Sequence, residues 1–262
     1  MRLSFCLLYI FISTPFLTFS QDEVTDPNFT EYQDKVPGTL LFEFGFNALQ
    51  DNTPDRMNVG FFRSRTANIY YMYDFRLFGS KYLSFNPGFG LGMDNYMFEK
   101  DMTITNGGSD QIRVYNANQI VQDQAVLYDT SGNANTSLNK SKISVNYFDI
   151  PMEFRFRTRP SKKSFRIAVG GKFGFRIDSK TKVKYEIDGD SYKVKNKSRY
   201  GFENFRYGVH GRIGIGSINL FVYYALSELF EKDLVLQNAD GTTRKLEGNL
   251  SNMTIGLTVV TF

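Results

Sequence analysis

Residues 147–178 read YFDIPMEFRFRTRPSKKSFRIAVGGKFGFRID, and the way they sort decides the fold. In the first arm Phe148, Ile150, Met152, Phe154 and Phe156 alternate with Tyr147, Asp149, Pro151, Glu153, Arg155 and Arg157. In the second, Phe165, Ile167, Val169, Phe173, Phe175 and Ile177 alternate with Arg166, Ala168, Gly170, Lys172, Gly174 and Arg176. A period of two puts successive side chains on opposite faces of a strand. The connector 158–163 is short and polar, so the arms form an antiparallel hairpin. One face is large and apolar, Gly171 excepted; the other is mainly charged or small. If the apolar face meets lipid, a one-residue slip turns the basic groups Arg155, Arg157, Arg166, Lys172 and Arg176 outward. At about 2–4 kcal/mol each near the membrane midplane, and less toward its edges, that slip costs roughly 10 kcal/mol or more. The register is strongly set.

The same alternation recurs along the 262-residue chain. Strands are expected at about 38–49, 66–77, 82–98, the central pair, 202–213, 218–226 and 253–262. Gly88, Gly90 and Gly92 share one face of the third, which marks that side of the sheet as crowded. The intervening connectors run long, short, long, short, long, short, long. Tight periplasmic turns, long external loops and an even strand count are the habit of outer-membrane barrels, and closure leaves no unpaired edge in lipid. The fold expected is therefore all-β: a single eight-stranded antiparallel transmembrane β-barrel over residues 38–262, with short periplasmic turns and long extracellular loops. A soluble lipocalin-type barrel inverts the sorting, apolar inside and polar outside, and alternation alone does not separate the two. Within the long segment 99–142, Gln111–Tyr128 has room for an extra hairpin. In the last strand Ile255, Leu257 and Val259 are out of phase with Phe262, which calls for a bulge or register change near the C-terminus.

Composition points the same way. Mean hydropathy is −0.32 and hydrophobic residues make up 42 %, and past residue 20 no apolar run approaches the ~18 residues a spanning helix needs. The first twenty residues differ: Met1-Arg2, a mostly apolar Leu3–Phe19, then Thr18-Phe19-Ser20 before Gln21 read as a cleaved secretory signal. Cys6, the one cysteine, leaves with it, and residues 21–37 form a flexible periplasmic tail. The leader, the lack of cysteine, the loop asymmetry and Phe262 favour the membrane version, with the chain integral to the outer membrane. A formal charge of +4, or +3 without Arg2, is too small to suggest a nucleic-acid partner.

Two stretches carry a family likeness. SVNYFDIPMEFRFR (144–157) followed by FRIAVGGKFGF (165–175) resembles the PorT-like outer-membrane barrel family of Bacteroidota, which pairs a Tyr-x-x-Ile-Pro strand with a Gly-rich one. YGVHGRIGIG and NLFVYYALSELF within 202–230 extend the likeness, so it spans about 38–262. The resemblance implies an eight-stranded barrel and, for some members, a role in the type 9 secretion and gliding machinery.

The inward-facing set is Glu43, Asp74, Arg76, Asp94, Asp149, Glu153, Arg155, Arg157, Arg166, Lys172, Arg176, Arg206, His210 and Arg212. An eight-stranded barrel is only wide enough for its side chains to fill it, so these read as an ion-paired plug rather than a pore. His210, the only histidine, has no Ser or Asp motif nearby to suggest general-base catalysis. No cluster has metal-ligand spacing, and the Gly-x-Gly pairs sit inside strands without a following helix. No catalytic, cofactor or metal site is expected.

Lys180, Lys182 and Lys184 and then Lys193, Lys195 and Lys197 flank Asp188-Gly189-Asp190. A two-residue turn would set lysine against lysine three times, which is destabilising. An uninterrupted ladder with even-numbered residues inward on both flanking strands needs an odd-length loop, which puts the two rows on opposite faces. The hairpin is either simply solvated or a basic surface for lipopolysaccharide phosphates or an acidic partner. The functional expectation is a non-enzymatic subunit or scaffold of a larger envelope complex, for secretion or outer-membrane biogenesis. The alternatives are a stand-alone barrel binding through its loops, and a lipid-modifying enzyme. Expected partners are outer-membrane lipid, lipopolysaccharide and other envelope proteins.

Overall fold

A computed structural model describes residues 38–50, 59–99, 102–108, 111–116, 136–161, 163–231, 235–237, 243–245 and 250–261. The expected leader, tail and terminal Phe262 lie outside them. Eight strands form the wall: β1 Gly38–Gln50, β2 Arg65–Tyr73, β3 Leu83–Met97, β4 Thr136–Arg157, β5 Phe165–Ile187, β6 Phe205–Ile215, β7 Ile218–Ala225 and β8 Ser251–Thr261. Each pairs antiparallel with the next, and β8 returns to β1 from Gln50↔Ser251 to Leu40↔Thr261. The ring is closed. That last ladder is unbroken, so the bulge expected near the C-terminus does not occur among the described residues.

Burial settles which way the sheet is sorted. Asp149 is 0 % exposed and Glu153 1 %, whereas Phe154 is 55 % and Val169 62 % exposed. Charged groups are inside and apolar groups outside, the reverse of a water-soluble barrel. The short connectors, 74–82, 158–164 and Gly216-Ser217, share one end with the outer termini of β1 and β8. The other ends of the wall strands, which the long connectors join, form the extracellular end. The β6–β7 turn is Gly216-Ser217, where Gly216 supplies the left-handed φ of +61°. The crowding expected at the third strand takes this form: a Cβ on Gly90 would fall on the Ile69 carbonyl and the Tyr70 ring.

Beyond the apolar belt the structure departs from the sequence reading. β4 and β5 run on together to Thr136↔Ile187, and Asp190–Lys197 adds a third strand to this extension. One extra residue in β5 separates Asn146↔Asp178 from Tyr147↔Arg176. Such a bulge exchanges the faces of everything beyond it. Even-numbered residues of β5 face the lumen up to Arg176 and face outward from Asp178 onward, where Ser179, Thr181, Val183 and Tyr185 are buried instead. The Asp188-Gly189 turn has only two residues, both with positive φ (52° and 91°). The lysine rows therefore pair directly, Lys180↔Lys197, Lys182↔Lys195 and Lys184↔Lys193, rather than falling on opposite faces. The parity argument fails because the ladder is interrupted twice, by the bulge and by segment 198–204, where Tyr200 and Gly201 turn the chain through φ of 51° and 61°.

In the first long loop Met102–Gly108 pairs with Gln111–Asn116; the hairpin expected over Gln111–Tyr128 falls mostly on residues 117–135, outside the described set. Val235–Gln237 joins Gln111–Asn116 in parallel, and Thr243–Lys245 completes a small four-stranded sheet drawn from two long loops. An apolar cluster including Tyr96, Phe98, Ile143, Val145, Tyr200, Phe202 and Phe230 lies at the extracellular ends of the wall strands.

Candidate functional site

The lumen is built from the inward positions of strands whose alternation leaves no other place for charge. In its upper half Arg206 (β6) is the hub. Its Nε and Nη2 donate to Asp149 at 3.0 and 2.5 Å, and Nη1 donates to Asp94 at 2.5 Å. The guanidinium carbon lies 3.9 Å from the centroid of the Tyr147 ring. Tyr70 donates to the same Asp149 at 2.7 Å, Thr66 to Asp94 at 2.6 Å, and Lys172 Nζ to Tyr70 Oη at 3.2 Å. Lys172 also sits 3.9 Å from the Tyr223 ring centroid. Two glycines make room for this hub, since a Cβ on Gly92 or Gly174 would occupy the place of the Asp149 and Arg206 side chains. Glu43 accepts from Asn68 at 3.0 Å and from Thr258 at 3.5 Å.

A second cluster surrounds Glu153. Arg155 donates to it from Nε and Nη2 at 3.2 and 2.7 Å, Arg212 makes a shorter ion pair to the same oxygen, and His210 Nε2 lies 3.3 Å from the other. Toward the periplasmic end Arg157 pairs with Asp74 at 2.5 Å, and Arg166 donates to Ser164 at 3.3 Å and to the Ser161 carbonyl at 3.2 Å. Arg176, near the upper rim, donates to Asn204 at 2.6 Å. Arg76 is exposed on the short strand Phe75–Arg76, opposite Ser84 at the mouth. The structure thus brings Asp94, Asp149, Lys172 and Arg206 into one network and Glu153, Arg155, His210 and Arg212 into another, with Asp74 and Arg157 paired separately. The tyrosines at 70, 147 and 223 belong to the first network but look from sequence like ordinary strand aromatics.

This arrangement fills the middle of the barrel with paired charge. Cavities beside Asp94 and Arg206, beside Glu153 and Lys172, and beside Arg155 and Arg166 measure about 10 Å³ each, the size of one water. Glu153 is engaged by three basic side chains, and His210 is one of them. Among the described residues no group of His, Cys, Asp or Glu has the arrangement to hold a metal ion.

Outside the lumen, the bulge leaves the lysines on the same outward face as the apolar belt. Two further lysines, not singled out in the sequence, extend the rows onto β4: Lys140↔Lys184 and Lys142↔Lys182. The result is two full rungs, Lys142–Lys182–Lys195 and Lys140–Lys184–Lys193, above the pair Lys180–Lys197. Lys142 donates to Asn95 at 2.7 Å and Lys197 pairs with Asp178 at 3.3 Å. Partial burial, and then Lys184, Lys193, Lys195 and Lys140 around it, hold Lys182 below the ordinary lysine pKa. Val183, Tyr185 and Ile187 pack on the opposite face with Leu138, Tyr192 and Val194. The KTKVKYEI alternation carried this signal, with lysine on one face and Thr, Val, Tyr and Ile on the other.

The profile of the outer membrane protein beta-barrel domain family matches residues 39–231. No curated protein matches the chain. Among solved structures it is similar to Ail, the attachment invasion locus protein of Yersinia pestis. With the heparin analogue sucrose octasulfate bound, Ail shows 11 % identity and TM-score 0.31, covering 86 % of this chain and 97 % of that one. Another structure of Ail gives 11 % identity, the same coverage and TM-score 0.32. A triple mutant of the Rhodopseudomonas blastica porin gives 8 % identity and TM-score 0.19 over 86 % of this chain and 99 % of that one. The fold assignment rests on the closed ladder, the inverted burial and the family match.

Proposed function

The chain belongs to the outer membrane protein beta-barrel domain family, and from that premise we propose that it is a non-conducting, non-enzymatic barrel whose working surface is its extracellular extension. One observation carries this reading: the voids beside the buried ion pairs of Arg206 and Glu153 are water-sized, while β4 and β5 continue well past the belt as a built sheet. The barrel then serves to hold a binding surface at the outer leaflet. Delivery is through cleavage of the leader after Ser20, so the mature chain starts at Gln21, which intact-mass measurement of the purified protein checks.

The likeness of 144–157 and 165–175 to PorT-like barrels favours a second reading, a subunit or scaffold of a secretion or biogenesis complex. One preparation separates the two. Tagged protein is extracted from its own outer membrane in mild detergent, sized, its companions identified, and a portion placed in planar bilayers. A lone barrel of about 30 kDa without channel steps is expected. A large stoichiometric complex would replace the first reading with the second, and steady ohmic conductance would sink both.

A further inference from the structure

We infer that the outward lysine face of the β4–β5 extension binds the phosphate groups of the outer-leaflet lipids that surround the barrel. The inference rests on the orientation adopted above, with the long-loop end outside. Its first support is position. Ile177 is the last belt residue on β5 and is 59 % exposed. A strand rising 3.3 Å per residue at a barrel tilt near 40° climbs roughly 2.5 Å per residue, which puts Lys180 and Lys182 roughly 8 and 13 Å above it. The headgroup layer extends roughly 5–8 Å beyond the hydrocarbon, and lysine stems can lean back toward it.

The second support is the geometry of the array. Neighbouring strands about 4.8 Å apart, with outward residues about 6.6 Å apart along each strand, set the ammonium groups in a grid. Each ammonium carries three donors and no acceptor, so the grid fits multiply charged phosphate; the β5 carboxylates on this face, Asp178 and Glu186, lie at its lower and upper ends. The third support is its electrostatic imbalance. Like charges directly opposite one another are destabilising. Among the described residues the one ion pair made by the hairpin lysines is Lys197–Asp178 at the lower corner. Lys182 and Lys142 both titrate below the ordinary lysine value, through partial burial and then through the surrounding lysines. An anion on this face removes the repulsion. Because the face is continuous with the lipid-facing wall, the anions nearest to it are the membrane's own. An acidic protein would have to approach from the side, through the leaflet.

The test uses the full chain, reconstituted in bilayers of phosphatidylcholine alone, with diphosphoryl lipid A, or with monophosphoryl lipid A. Amine-reactive labelling of Lys180, Lys182, Lys195 and Lys197, the two pairs nearest the belt, is read by mass spectrometry, and lipid retained after mild-detergent extraction is counted. Protection should follow the order diphosphoryl over monophosphoryl over none. Replacing these four lysines with glutamine should lower retained diphosphoryl lipid A on the order of a hundredfold or more, given about 1 kcal/mol per lysine at an anionic surface. Replacing them with arginine should preserve retention, and Lys163→Gln, at the opposite end of the barrel, should change nothing. Heat-modifiable gel mobility verifies that each variant is a folded barrel, and the wild-type lipid series stands without any variant. Equal labelling in all three bilayers overturns the proposal, as does undiminished retention by the glutamine variant. Protection by soluble poly-glutamate in phosphatidylcholine bilayers that equals or exceeds protection by lipid A also overturns it, in favour of an acidic protein ligand. None of these outcomes alters the conductance or sizing results, so this inference can fail while the sealed-barrel reading stands.

Discussion

Replacing Arg206 with glutamine should be the most damaging single change in the lumen. Arg206 makes three charge-assisted hydrogen bonds to two carboxylates, and Asp149 and Asp94 are 0 % and 3 % exposed. Without it each acid keeps one neutral donor among the described residues, Tyr70 for Asp149 and Thr66 for Asp94. Breaking a buried pair by removing one partner costs about 3–5 kcal/mol, because the other charge is left uncompensated. With two acids orphaned, the loss belongs at the upper end, about 4–5 kcal/mol. Neutralising the whole set, Asp94→Asn, Asp149→Asn and Arg206→Met together, should recover most of that loss, since well-packed uncharged replacements of buried pairs are often close to neutral. The chain has no Trp, so urea unfolding in lipid vesicles is followed by far-UV circular dichroism and by gel mobility. A loss under about 1 kcal/mol for the single variant, or a triple variant as unstable as the single, would refute orphaned charge as the cause.

Three further outcomes test other parts of the architecture. A Cβ on Gly174 would coincide with the Asp149 carboxylate and lie 2.8 Å from Arg206 Cγ, whereas on Gly171 its nearest neighbour is the Gly208 carbonyl oxygen at 3.6 Å. Gly174→Ala should cost roughly 2–5 kcal/mol and Gly171→Ala no more than about 0.5, by the same unfolding assay. Phe173→Arg, near the middle of the belt, should lose about 2–4 kcal/mol in a bilayer, checked by vesicle unfolding against a rim substitution such as Ile177→Arg, which should lose less. In the extension, Lys182→Gln should tighten the hairpin, and added salt should shrink the gain by screening. Because Lys182 has a folded-state pKa below 10.5, repulsion is fully present below that value and is relieved as pH rises toward 10.5. The methyl resonances of Val183 and Val194, paired on the inner face, report closure in both experiments.

Within the belt, most of this was legible in the sequence, because alternation there has a strong physical penalty behind it. The faces of β3, β4, β5 and β6 follow directly from Phe85, Phe154, Val169 and Val209 set against Asn86, Glu153, Lys172 and Arg206. What the pattern could not supply was partnership. Arg206 reaches Asp94, 112 residues away, and Asp149, 57 away, because of the stagger at which eight strands close, and no local signal encodes that stagger. The lysine hairpin failed for a different reason. Its alternation is plain in the sequence, but the repulsion between facing lysines argues against the two-residue Asp-Gly turn that forms. That repulsion is a few tenths to about one kcal/mol per pair. A two-residue turn with both residues at positive φ, and an inner face of Val183, Tyr185, Val194 and Tyr192, outweigh it.

The residue that converts a lumen-facing period into an outward one is Ile177, and deleting it discriminates between the two ways of reading β5. Under plain alternation Lys180, Lys182 and Lys184 share the inward face with Arg176, and removing one residue before them would turn them out. In the observed ladder they already face out, because Arg176 pairs with Tyr147 and Asp178 with Asn146, leaving Ile177 as the unmatched residue. Its deletion therefore joins two segments already in register with β4 and changes no face. The loss is one half-exposed aliphatic side chain at the belt's rim, no more than about 2 kcal/mol and partly offset by a regularised ladder. Amine labelling of the three lysines in detergent-solubilised protein should match wild type, with the barrel still heat-modifiable on gels. Lysines that are protected in the wild type and become reactive only in the deletion would mean that the bulge is absent, and the outward basic face would go with it.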